Sequence, residues 1–248
     1  MANEVQGLSE KVSRIERAVK FKPSASLTPE LKQNLGRVFG KYYAYLKDVG
    51  FPLSKDAPTA FVDPSQREQA YYQPPPVNEI VLSPDFAQVE DAGLREYTFY
   101  ALNVVKPGLF EIASGLQSGL ADYFPCSFSG RSEFSKEIFE ELAKRYPGSR
   151  LPPRDLDNHR SFAEIHPGQT EYHEEGNVWG GAFRQVRKSI GQAATDRLLF
   201  AAWKNFQASG SLDLMMFPRE LLKQDAALYG GVHTQQIQSV FEQRGLKF

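Results

Sequence analysis

The sequence predicts an α+β fold: a small N-terminal sheet, two central helices and a mostly helical C-terminal lobe. Three observations lead there. Apolar residues recur at helical spacing over most of the chain, two short β-rich runs lie close together between Pro58 and Pro84, and glycines cut everything after Val178 into helix-length pieces. With 248 residues the chain can bury one substantial core, either as a single domain or as one domain with a small appendage.

The appendage comes first. Val5, Leu8, Val12, Ile15 and Val19 step by 3, 4, 3 and 4, a heptad seam with Glu10, Lys11, Arg14, Glu16 and Arg17 at polar positions. This predicts an amphipathic helix over residues 1–21, which fits either docking on its own domain or self-association as a dimerising or stalk helix. The second segment, 22–248, is the main domain. Thr28 before Pro29 and Glu30 is an N-cap with proline at the first helical position, Leu31, Leu35, Val38, Phe39, Tyr42, Leu46 and Val49 keep helical spacing, and Gly50 stops the helix, giving 28–49. Thr59 to Asp63 and Asn78 to Ser83 read as strands of a small sheet within 58–84, joined by a polar, proline-rich connection. Two central helices follow within 86–124, Phe86 to Val105 and Glu111 to Phe124, separated by Lys106-Pro107-Gly108. The helical lobe, 132–248, holds Ser132 to Tyr146, a loop-like stretch from Ser149 to Gly176, and helices at Val178 to Ile190, Ala193 to Gln207, Pro218 to Tyr229 and Thr234 to Arg244. Trp179 and Trp203 are expected to pack this lobe.

Charge and composition narrow the function classes. With 29 basic and 30 acidic residues the net charge is −1, which argues against a general binder of nucleic acid or anionic membranes. No apolar run approaches the roughly 20 residues a membrane span needs. The single cysteine, Cys126, forms no internal disulfide and is expected to be a buried inert thiol. A soluble protein of a reducing compartment such as the cytoplasm is the simplest expectation, and the start MANEVQGLSEKV lacks the pattern of a signal peptide. His159, His166 and His173 are spaced seven and seven, which fits no compact ligand motif.

Two short stretches carry the functional signal. One is Leu94 to Leu102, LREYTFYAL; the other is Ser114 to Phe124, SGLQSGLADYF. Eighteen residues lie between Phe99 and Ser118, and further on runs His173-Glu174-Glu175-Gly176-Asn177-Val178-Trp179-Gly180-Gly181-Ala182. Together these resemble the gluzincin, thermolysin-like metallopeptidases, in which HExxH on one helix and a glutamate on a second hold zinc, and a downstream histidine serves the oxyanion. AYYQPPPVNEIVLS is similar to the tyrosine-rich segment and strand along the substrate cleft of that family. The resemblance covers Pro58 to Gly245 and implies a zincin-like fold.

Carried over residue by residue, the resemblance places Arg95 at the first histidine ligand, Phe99 at the second and Ser118 at the glutamate. Glu96 matches the general base, Asp122 the aspartate supporting the first ligand, and His173 the oxyanion histidine. Arginine stays protonated and phenylalanine has no lone pair, so this set does not hold zinc by the family's geometry. The expectation is therefore a pseudopeptidase with no zinc, no other cofactor and no catalytic residues. Glu96 should pair with Arg95, Asp122 should be a buried acceptor, and an Arg95 to Asp122 contact is expected to keep the charge balance. The cleft then binds a peptide or protein partner, with NEIVLS as the strand that pairs an extended chain, or is closed by Arg95 and neighbouring aromatics and serves as scaffold. The alternative is an active hydrolase using Glu96 and His173 as an acid/base pair, with a metal captured by Glu174, Glu175 or the loop histidines.

Overall fold

The computed structural model describes residues 17–53, 56–67, 69–136, 139–140, 144 and 154–248. They fall into two compact units, Met1–Val104 and Val105–Phe248.

In the first unit a four-stranded sheet has the order β1-β2-β4-β3: β1 Lys20–Phe21, β2 Thr59–Val62, β3 Ala70–Gln73 and β4 Glu79–Leu82. β1, β2 and β4 run parallel, and β3 is antiparallel to β4 with Tyr71 opposite Val81. The expected heptad helix lies outside the described residues as far as 16. Arg17 and Ala18 are helical, but the helix expected to reach residue 21 gives way to β1, and the sheet extends beyond 58–84. The connection between the two expected strands also contains one more strand, β3, whose tyrosines suit a pleated surface. As a result NEIVLS is an interior strand, paired on both sides, and the edges are Lys20–Phe21 and Ala70–Gln73.

Helix α1, Pro29–Val49, starts and stops where its caps require: Thr28 Oγ1 accepts from the Leu31 N–H, and Gly50 at φ 122 returns its N–H to Leu46 and Lys47. Its apolar face carries Phe39 and Tyr42 onto Tyr97, with ring centroids 5.5 and 6.0 Å apart. Helix α2, Glu90–Val105, is buried from Asp91 to Leu102, as a helix enclosed on all sides must be apolar or internally paired. Gly93 eases its approach to α1, since a Cβ there would lie 3.2 Å from the Phe39 ring, a tight contact. Within the buried turn, Thr98 donates to the Leu94 carbonyl, so Tyr42 donates to Thr98 at 2.7 Å. Tyr97 donates to the Ala18 carbonyl at 2.9 Å and fixes the chain entering β1. The expected helix start at Phe86 is instead a 3-10 turn, Phe86–Gln88, before α2 begins.

The second unit is built on α3, Phe110–Ser129, and α4, Tyr172–Ile190, with α5 Gln192–Asn205, α6 Phe217–Tyr229 and α7 Thr234–Gln243 completing the lobe. α3 bends at Ala113 and runs past the expected end at Phe124, through Pro125, to Gly130 at φ 79. Proline removes one internal N–H there, but Tyr123, Phe124, Cys126 and Ser127 are all buried and hold the last turns in place. Glu133–Phe134 and Arg154–Asp155 form a two-stranded ribbon, β5 and β6, where a helix and a loop were expected; Lys136, Phe139, Glu140 and Lys144 are helical, and the rest of the expected helix to Tyr146 lies outside the described residues. α4 begins six residues before the expected Val178. Glu171 caps it, accepting the N–H groups of His173 and Glu174 at 2.9 and 3.1 Å.

α3 and α4 cross at small residues. A Cβ on Gly119 would stand 2.5 Å from the Trp179 Cβ, and one on Gly176 would stand 2.5 Å from Ser118 Oγ. Trp179 and Trp203 are fully buried, as expected, and Trp179 sits among Phe162, Phe183, Phe217 and Phe241.

Candidate functional site

In the first unit, Arg95, Glu96 and Phe99 share the buried middle of α2, at 6%, 3% and 8% exposure. Arg95 Nη1 donates to Glu96 Oε1 at 3.0 Å, and its guanidinium lies 4.7 Å from the centre of the Phe99 ring, one helical turn away. A buried guanidinium is thus engaged by an adjacent carboxylate and by an aromatic face. These residues do not fit a metal ion: the cation stays protonated, the ring offers no donor, and an oxygen of Glu96 is already engaged by the guanidinium.

In the second unit, Ser118 and Asp122 lie one turn apart on α3, both fully buried. Ser118 packs at the crossing with α4, against Gly176. Asp122 receives Arg154 Nη1 on both carboxylate oxygens, at 3.0 and 2.8 Å. The same nitrogen is 3.3 Å from His173 Nδ1. Arginine only donates, so this contact is a hydrogen bond in the tautomer whose Nδ1 accepts and whose ring proton is on Nε2. Arg154 is itself held over the rings of Phe134 and Phe139, at 4.6 and 5.6 Å, and sits on β6 in register with Phe134. Arg154 is a cation on Asp122 that the sequence reading did not name. Its place in a proline-flanked stretch, 32 residues from Asp122, carries no periodicity, and the arginine between Pro153 and Asp155 was the only sign.

The remaining acidic and histidine residues of this unit have other work. Arg160 engages Glu174 and, at 3.0 Å, Glu164; His159 and His166 are exposed. Among the described residues no group of three or more His, Cys, Asp or Glu side chains is placed to hold a metal ion.

Glu175 is different. At 2% exposure it lies flat on α3, where a Cβ on Gly115 would be 2.1 Å from its Oε2, and its Oε1 accepts the Gly168 N–H at 3.1 Å. Burial raises its pKa above the ordinary 4.5, the Gly168 bond opposes this, and the Glu171 charge adds to it. A raised native pKa means that the stability Glu175 contributes is complete below its unfolded value and is lost as pH rises through the native one. Glu175→Gln, which keeps the Gly168 bond, should therefore match the parent near pH 4 and melt at a higher temperature than the parent at neutral pH. A melting difference that does not change with pH would remove this assignment.

No family model matches the chain, and no curated protein matches it. Among solved structures, the chain is similar to the precursor of protealysin, a metalloproteinase from Serratia proteamaculans, with a TM-score of 0.68 at 11% identity. The match covers 94% of this chain and 86% of that one. The fold is zincin-like. The match reaches further than Pro58 to Gly245 and takes in much of the segment before Pro58, so the part of the chain expected to lie outside the resemblance is largely within the shared fold. Among the described residues no helix is long and apolar enough to cross a membrane.

Proposed function

We propose that this chain is a zincin-fold protein that has given up zinc and peptide hydrolysis and uses its sheet edge to bind an extended peptide segment of a partner. The observation that carries the first half is the buried pair of Arg95 with Glu96 beneath Phe99. It puts a permanent cation where the resemblance requires a neutral imidazole, and it occupies the carboxylate that would otherwise serve as base. The second half draws support from β3: among the described residues Ala70–Gln73 is an edge strand, so one side of its backbone pairs with β4 and the other has no strand beside it, the arrangement strand addition uses.

The test combines elemental analysis of the purified protein with a broad peptide-cleavage screen and a peptide-binding array. Expected are no stoichiometric zinc, no turnover, and captured peptides whose affinity falls when Tyr71→Pro disrupts the edge. Bound zinc, or turnover abolished by Glu96→Gln, overturns the pseudopeptidase reading. A complementary variant, Ser118→Glu, should lose about 1–3 kcal/mol of stability from overpacking beside Gly176.

A further inference from the structure

Arg244, just beyond α7, is 3% exposed, and its guanidinium is spent on one loop and on α4. Nη2 donates to the Asn158 carbonyl at 2.6 Å, Nη1 to Asn158 Oδ1 at 3.2 Å and to the Arg160 carbonyl at 2.9 Å, and Nε to Gln185 Oε1 on α4 at 2.8 Å. Its own carbonyl accepts the Phe162 N–H at 2.8 Å and the Ser161 hydroxyl at 2.9 Å. One residue therefore closes the segment from Asn158 to Phe162 from both its side chain and its backbone.

Asn158 passes the constraint on. Its Nδ2 donates to the Asp155 carbonyl at 2.7 Å and to Asn177 on α4 at 3.0 Å, and Gly181 leaves room for its amide, where a Cβ would stand 2.4 Å from Oδ1. Asp155 is the neighbour of Arg154 on β6, and Arg154 is the residue that joins Asp122 to His173. A chain of bonds thus runs from Arg244 through Asn158 and Asp155 to the cation of the candidate site.

We propose that Arg244 is the positioning residue of the Arg154, Asp122 and His173 cluster: through Asn158 it sets where the Arg154 guanidinium lies and hence which nitrogen of His173 carries the proton. This geometry is independent of the pseudopeptidase reading above. The measurements below report geometry and not binding, so the two fail separately.

The experiment follows the imidazole nitrogens of His173 by long-range nitrogen–proton correlation, together with amide hydrogen exchange, in the full chain. The parent should show the Nε2–H tautomer of His173. In Arg244→Ala that signature should move toward the averaged tautomer pattern, and amide exchange across residues 155–162 should rise about tenfold or more. Arg244→Lys keeps the charge without the planar fork and should restore less than half of the protection. Because removing a buried guanidinium can unfold the lobe, Asn158→Ala gives an independent reading and should shift His173 in the same way. An unchanged His173 spectrum in folded Arg244→Ala or Asn158→Ala, or full restoration by lysine, overturns the proposal.

Discussion

Arg154→Met is expected to cost the protein about 3–5 kcal/mol, seen as a lower midpoint in urea unfolding. The reason is the partner left behind. Asp122 has no exposed side-chain surface, and Arg154 delivers one nitrogen to both of its oxygens while its own flat face rests on Phe134. Taking two charges out of water is expensive, and their attraction returns most of that cost only while both are present. Removing the cation alone leaves the carboxylate to bear the desolvation. The double variant Asp122→Asn with Arg154→Met should therefore be more stable than Arg154→Met itself. A single-variant loss below about 1 kcal/mol, the range of an exposed pair, would show that the ion pair does not govern this region.

Trp179→Ala should be of similar size, about 3–5 kcal/mol, because a fully buried indole at the centre of four phenylalanines leaves a void its neighbours fill only in part. Phe162 is nearest, with ring centroids 4.6 Å apart and nearly perpendicular. The Cβ of Trp179 is a separate matter, since it is the atom that excludes any side chain at Gly119. Alanine keeps that atom. Gly119→Ala should consequently remain destabilising in the Trp179→Ala background, whereas rescue there would mean that the indole and not the Cβ sets the spacing of α3 and α4. Calorimetric melting of the two singles and the double distinguishes these outcomes.

What could be read in the sequence was what is local. Thr28, Pro29 and Gly50 mark α1 because caps act within a turn of the helix end, and Arg95, Glu96 and Phe99, grouped in the sequence through the resemblance, touch because neighbours along one helix turn do so whatever the rest of the chain does. What escaped was non-local or chemically unusual. β1, β5 and β6 are two residues long, too short for any alternation, and they form only because a distant partner aligns with them. β3 was hidden by three following prolines, although Tyr71 and Tyr72 are good strand formers. The true start of α4 was missed because glutamate is an uncommon cap; the acidic pair Glu174 and Glu175, favourable in a first turn, was the available clue. Arg154 belongs to the same class as the short strands: its importance comes from the residues it meets, and no pattern along the chain announces them.

The crossing of α3 and α4 also limits what residue 118 can hold. Ser118 stands at the position the resemblance gives to an acidic ligand, and its hydroxyl fills the space a Cβ on Gly176 would need. In so close a contact the sizes of the two residues depend on each other, because interiors are packed without spare volume. The crossing therefore works as a size filter, in which growth on one helix is tolerated only as far as the other gives way.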